Sequence, residues 1–518
     1  MPTVGNGVTS TVNSNLSGLP GSSFTVTKGG TVNVVSGGVT SGDVLSNSGV
    51  ENVSSGGIAL SATISKGGVE TVFASGVASD TTIKNSGAEN ISSGGTAISA
   101  TVGNGGLETV FFSGVASGTT VKNGGSESIS SGGTALDITV NNGGVETVFD
   151  GGLASGTSIE PGGDEYISSG GTASGTTVSG DITNGIVGDQ VVYSGGSAVS
   201  AVILALGAQI LSGGTAIGTV LSGSAHNAGV VSVLSGGVLS GATFAGGGGQ
   251  VVVSSGGSAT GTIVNHNGEI QILASGVASG TIVRNTGQEV IQGGTASDTT
   301  VSNGGVVWVL SGGSAIDTTV KGGGAEVVYS GGSALSTTIS SGGTAVILSG
   351  GSASHTTIAQ SGTLEVSGGI VKGTVTFSGT GGQLLIDGAS LPTDPTKLIG
   401  ATIHGFVSGD TIDLTGIGYT SGAGQVILNG GNELQITEGG QTYDLQLNPS
   451  QDFTNDYFHL TDDGTGGTDI TENLTPCYCR DTLIRTDCGE VPVQALAIGD
   501  NVVTVSGEAK PIRWIGRR

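Results

Sequence analysis

Glycine recurs in this chain at a fixed interval. Gly30, Gly49, Gly68, Gly87, Gly106, Gly125, Gly144 and Gly163 form one series. Gly38, Gly57, Gly76, Gly95, Gly114, Gly133, Gly152 and Gly171 form a second, and each series advances by 19 residues. The period is therefore 19, divided by turns into halves of 8 and 11 residues. A fixed period of this length means one supersecondary unit stacked many times. The short half carries a β-branched residue at its fourth position (Val34, Val53, Val72, Ile91, Val110, Ile129, Val148, Ile167). The long half carries an aliphatic at its seventh (Leu45, Ile64, Ile83, Val102, Val121, Val140, Ile159), preceded by Thr63, Thr82, Thr101, Thr120, Thr139 and Ser158. Adjacent strand residues face opposite ways, so the aliphatic column is expected inside and the Thr column outside. Each half then reads as a short strand, with alanines such as Ala59, Ala78, Ala97 and Ala116 near the corners and glycines supplying positive-φ turns.

One coil buries about two aliphatic side chains and some alanine, worth roughly 3–6 kcal/mol. Ordering its backbone costs on the order of 20–40 kcal/mol. A single coil cannot stand alone, and stacking must supply the ladder hydrogen bonds and the dry interior. The expected fold is all-β, an elongated β-solenoid of 19-residue coils over 29–369, with slips at 180–249. Residues 1–28 would be an N-terminal cap and 370–460 a β cap. A polar linker would follow at 461–474, then a short incomplete segment at 475–518. A doubled period overlies the first: Val35, Ser54, Phe73, Ser92, Phe111, Ser130, Phe149 and Ser168 share one repeat position.

Composition excludes several classes. Of 518 residues, 103 are Gly and 9 Pro, aromatics are 4% and charged residues 10%, so neither one large globular core nor a highly charged disordered chain fits. The net charge of −25 repels phosphate backbones, and no nucleic-acid partner is expected. The N-terminus lacks the basic and apolar regions of a Sec signal peptide, and Ala198–Leu211 is too short and interrupted to span a bilayer. The five histidines show no ligand spacing, and no Ser-His-Asp order, nucleotide loop or HExxH motif occurs.

Glu51, Glu70, Glu89, Glu108, Glu127, Glu146 and Glu165 occupy one repeat position and form a column. Carboxylates at strand spacing repel, so the column is read either as a solvated, aggregation-resistant edge or as a divalent-cation stripe, with calcium the one cofactor left open. No other metal or cofactor is expected.

The TASGTTV, VASGTTV and SSGGTA segments resemble the AIDA-type repeats of bacterial autotransporter passengers over about 29–369. That resemblance implies surface display and adhesion, with cell-surface or self-association partners and an extracellular or cell-surface location. Some relatives carry O-linked heptose on repeat serines, which maps here onto Ser54, Ser92, Ser130 and Ser168. No membrane β-barrel is seen after the repeats. The tail TPCYCRDTLIRTDCGEVPVQALAIGDNVVTVSGEAKPIRWIGRR resembles the opening of a Hint (hedgehog/intein) domain through Cys477, Thr482, Leu483, Gly489, Glu490, Leu496, Gly499, Asp500, Val502 and Trp514 to Arg518. In that family the first Cys attacks the preceding carbonyl, a role that maps onto Cys477 with Pro476 as acyl donor. Asp481 replaces the usual Gly, and no Thr-x-x-His segment follows, so no self-cleavage is expected. Cys477, Cys479 and Cys488 lack a fourth ligand for zinc. The functional expectation is an adhesive or structural surface protein rather than an enzyme. The alternative is an autoprocessing protein whose Hint part is the working element.

Overall fold

The computed structural model describes residues 1–13, 22–223, 227–340, 342–387, 399–454, 456–473, 482–504 and 507–513. The coil spanning residues 69–87 explains the rest. Its first strand, Val69–Val72, has the sequence VETV and alternates half-buried and buried. A turn at Ala74 and Ser75 leads to Val77–Ser79, then a bend at Asp80 (φ 60°) leads to Thr82–Ile83. The long half thus holds two short strands, because a residue in the left-handed region breaks it. Ala78 lies at mid-strand facing inward, not near a corner. Val72 and Ile83 are fully buried while Thr82 is half-buried, as the alternation requires.

Through the repeats, strands pair in parallel with their equivalents one coil away. Val69–Val72 matches Val50–Val53 on one side and Ala88–Ile91 on the other, residue for residue. Ile83 stacks between Ile64 and Val102 in the same way. The result is a rod of about twenty turns, roughly 95 Å long at ~4.8 Å per rung. Insertions do not interrupt it. Between Glu165 and its partner Gln190, the extra residues leave as a surface loop closed by an Asp181–Ile186 bridge.

The columned glycines have a different role from the one expected. At Gly30, Gly68, Gly106 and their equivalents φ is not positive, and it is the preceding residue (Gly29, Gly67, Gly105, or Ser48, Ser75, Ser86) that lies in the left-handed region. The columned glycine is required by space. A Cβ on Gly106 would lie 2.5 Å from the Ile83 carbonyl oxygen of the coil below, whereas one on Gly105 would meet nothing within 4 Å.

The parallel stack also continues beyond residue 369. Ile370–Ser378, Gln383–Ile386, Gly400–His404 and Thr411–Leu414 each pair in parallel with the preceding coil. The pattern changes at Thr411–Leu414, which pairs antiparallel with Thr468–Asn473. An antiparallel three-stranded sheet of Gln425–Asn429, Glu433–Glu438 and Gln441–Gln446 lies beside it. The stretch expected as a polar linker forms much of a hairpin, Tyr457–Asp462 with Thr468–Asn473. Its turn closes because Asp463 accepts hydrogen bonds from the Thr465, Gly466 and Gly467 amides at 2.6–2.8 Å. Leu483–Thr486, Gly489–Pro492, Asn501–Val503 and Ala509–Pro511 form a separate four-stranded antiparallel sheet.

Candidate functional site

The seven glutamates are inside the rod. Glu51, Glu70, Glu89, Glu108, Glu127, Glu146 and Glu165 are each 0% exposed, which overturns the reading of a solvated edge. The reason is elementary: Glu70 lies two residues before Val72, so both point to the same face of their strand. In-register pairing places the seven carboxyls on successive rungs.

Opposite them the second ladder alternates. Thr81, Thr119 and Thr157 are buried across from Glu70, Glu108 and Glu146, while Ala62, Ala100 and Ile138 hold the corresponding places for Glu51, Glu89 and Glu127. The doubled period seen outside in the Phe/Ser alternation therefore runs through the interior as well. Thr81 Oγ1 donates to Glu70 (3.2 Å), Thr40 Oγ1 to Glu51 (2.8 Å) and Thr176 Oγ1 to Glu165 (3.1 Å). Burial pushes Glu70, Glu108 and Glu165 up to about 7, and the Thr81 hydroxyl at Glu70 and the Gln190 amide and Thr176 hydroxyl at Glu165 offset part of the rise there. Glu89 and Glu127 are raised well above the carboxylate range, first by burial and then by their glutamate neighbours.

The column changes chemistry after Glu165. Gln190 Nε2 donates to Glu165 (2.7 Å), Gln209 Nε2 to Gln190 (2.6 Å) and Thr219 Oγ1 to Gln209 (2.9 Å). Further on, Val231, Val251 and Ile270 take the position, and Glu289 and Glu326 reoccupy it with Thr299 and Thr337 as donors.

The expected serines sit at the corner after the first strand. Ser54 is buried, and Ser92, Ser130 and Ser168 are half-buried. The exposed serines are the next residues, Ser55, Ser93, Ser131 and Ser169. On alternate coils the same corner carries Phe73, Phe111 and Phe149, with Phe149 42% exposed, and Phe112, which follows Phe111 and packs edge-on against it, is 62% exposed. Cys477 lies outside the described residues, and Cys488 is an exposed free thiol. In the terminal sheet Leu496 is buried and the Asp500 carboxylate accepts from the Ala497 amide (2.8 Å). A cleft near the rod's end is lined by Asp413, Asp463 and Asp469, where burial and then the other two charges push Asp413 up to about 6. Among the described residues, no group of three or more His, Cys, Asp or Glu could hold a metal ion. No helix among them is long and apolar enough to cross a membrane.

The parallel β-solenoid encloses its aliphatic and carboxyl columns and presents its corners and outward strand positions to the surroundings. Residues 110–163 and 283–343 match the family described as adhesin of the bacterial autotransporter system, probable stalk, and residues 476–518 match the Hint domain. Among solved structures, the chain is similar to a fragment of TibA hyper-glycosylated by TibC, at 30% identity over 72% of this chain and 96% of that one, with a TM-score of 0.33. It is also similar to the Dettilon tailspike protein (10% identity, covering 70% of this chain and 83% of that one, TM-score 0.22). A further similarity is to PfbA, a surface adhesin of Streptococcus pneumoniae (9%, 76% and 91%, TM-score 0.16). No curated protein sequence matches. Through its repeats the chain belongs to the autotransporter-adhesin stalk family, and it carries a Hint-type segment at its C-terminal end.

Proposed function

We propose that this protein is an adhesive rod displayed on the bacterial surface, and that its corners rather than any enclosed site meet its partners. The observation that carries this reading is the in-register stack of stalk-family repeats, which seals the interior and leaves only outward side chains, those of the corners among them, to meet a partner. The corner pairing Phe73/Ser54, Phe111/Ser92 and Phe149/Ser130 offers apolar contact every second coil, with small hydroxyls between. Hydroxyl-linked sugar is the modification this corner suits, given that the similar TibA fragment is hyper-glycosylated. Ser55, Ser93, Ser131 and Ser169 are then the better acceptors, because their hydroxyls are open to an enzyme. Cells displaying the chain should aggregate or bind surfaces, and replacing Phe73, Phe111 and Phe149 together by Ser should reduce binding while leaving the melting temperature unchanged. Aggregation that persists undiminished in that variant would remove the corner from the account.

The Hint match favours a second reading, self-cleavage ahead of Cys477. The chemistry needs a thiol against a carbonyl and a proton donor for the leaving nitrogen. Asp481 in place of the usual Gly supports an inactive segment in this chain. Purified protein should stay intact over days, and a 476-residue fragment abolished by Cys477→Ala would show the opposite.

A further inference from the structure

The glutamate column poses a problem of charge. Neither side-chain oxygen of Glu89, Glu108, Glu127 or Glu146 has a hydrogen-bond partner, and all four residues are fully buried. No Lys, Arg or His is buried among the described residues, so no protein cation neutralises the row. Ionised carboxylates left dry, unpaired and one rung apart are strongly unfavourable. Something must cancel the charge, and the choice is between a metal ion and a proton.

Geometry decides between them. A calcium ion requires six to eight oxygens, and magnesium a near-octahedral shell that usually keeps several waters. Here each carboxyl faces Thr, Ala or Ile across a narrow section, filled at alternate rungs by Ala62, Ala100 and Ile138. No three-ligand group exists there. A proton needs no room, because a neutral carboxylic acid can donate to the carboxyl oxygen of the adjoining rung. The chain itself contains the neutral version of this arrangement. Gln209, Gln190 and Glu165 are joined head to tail through their side chains in the same column.

We propose that the interior glutamate column is a binding site for protons: Glu89, Glu108, Glu127 and Glu146 are held as neutral acids that donate along the column, and folding therefore takes up protons near neutral pH. Burial, followed by neighbouring glutamates, raises Glu89, Glu127 and Glu146 well above the usual carboxylate range, in keeping with this. The titratable groups facing the column are few. Along its own ladder they are Glu51, Glu70 and Glu165, and across the interior only Asp43 at the N-terminal end, itself pushed up to about 6 by burial. The remaining facing groups, Thr81, Thr119, Thr157, Ala62, Ala100 and Ile138, do not titrate in this range.

The sign of the pH effect follows. The folded-state pKa exceeds the unfolded value of 4.5, so between the two the folded chain binds more protons. The column's contribution to stability is greatest below about pH 4.5 and falls as pH rises through 7, by about tenfold in the folded-to-unfolded ratio per pH unit for each group that stays protonated. The test uses the full chain, with refolding followed in weakly buffered solution at pH 7 and urea midpoints measured at pH 5 and pH 8. Net proton uptake and a lower midpoint at pH 8 are expected. Glu89→Gln and Glu127→Gln should raise the pH 8 midpoint, leave that at pH 5 nearly unchanged and reduce the uptake. Should these variants fail to fold, the infrared carbonyl band of protonated carboxyl groups in the wild-type chain at pH 7 decides alone. Absence of that band overturns the proposal. So does stabilisation by calcium or magnesium that disappears when the two glutamates become glutamine.

Discussion

Gly105 and Gly106 are neighbours with opposite reasons for being glycine, and exchanging each for alanine separates them. At Gly106 an added Cβ would sit 2.5 Å from the Ile83 carbonyl oxygen and 3.0 Å from Ile83 Cγ2. Reaching ordinary contact requires this corner to open by about 1 Å in a ladder whose rungs are ~4.8 Å apart. The adjoining bond from the Leu107 amide to the Gly87 carbonyl, 3.0 Å long, is lost at that separation. Overpacking of about 1–3 kcal/mol and one or two lost ladder bonds at about 1 kcal/mol each give roughly 2–5 kcal/mol for Gly106→Ala. At Gly105 the added Cβ meets open space, and only its left-handed backbone (φ +74°) is strained, for about 1 kcal/mol. Gly105→Ser should cost little, since Ser86 fills the same place one coil earlier at φ 63°. Urea denaturation followed by circular dichroism gives the total, and amide exchange read coil by coil localises it around residues 83–107. Equal losses for the two alanine variants, or a larger one at Gly105, would refute the claim that close approach selects the columned glycine.

Ile83→Ala should destabilise by about 2–5 kcal/mol, because Ile64 and Val102 hold the cavity open from both sides; Thr82→Ala should change stability by less than ~0.5 kcal/mol in the same denaturation assay. Thr81→Val removes the hydroxyl that donates to Glu70 and lowers its pKa. That variant should melt lower than wild type by about 1–3 kcal/mol at pH 8 and by much less at pH 4, where the acid is protonated. Asp463 is held down to about 2 by the donors of its turn. Its contribution is present above the ordinary value of 3.8 and disappears as pH falls through 2, so Asp463→Ala should remove amide protection at residues 465–467 at pH 6 and make no difference near pH 2.

Much of this fold was legible in the residues. Glycine spacing set the period, and alternation placed Val72 and Ile83 inside and Thr82 outside. The same alternation assigns Glu70 to the interior through Val72, but a carboxylate suggests water strongly enough to mask the pattern. Thr81 was missed as an interior donor for a related reason. The bend at Asp80 shifts the inward set, and a non-glycine residue in the left-handed region carries no plain signal. The stack's extension past residue 369 was hidden because the interval between rungs lengthens, from 19 residues up to 28 between Leu384 and Ile412. Cys477 falls outside the described residues, so its assignment rests on motif order alone.

The interior alternation of Thr81, Thr119 and Thr157 with Ala62, Ala100 and Ile138 has a bearing on how such a gene can change. Excision or duplication of 38 residues joins each hydroxyl-bearing coil to the kind of neighbour it already had, whereas a change of 19 sets two like coils together. Within residues 62–157 recombination between repeats can thus tune the reach of the rod in two-coil increments, whereas Thr299, Thr318, Thr337 and Thr356 already stack like on like and allow steps of a single coil.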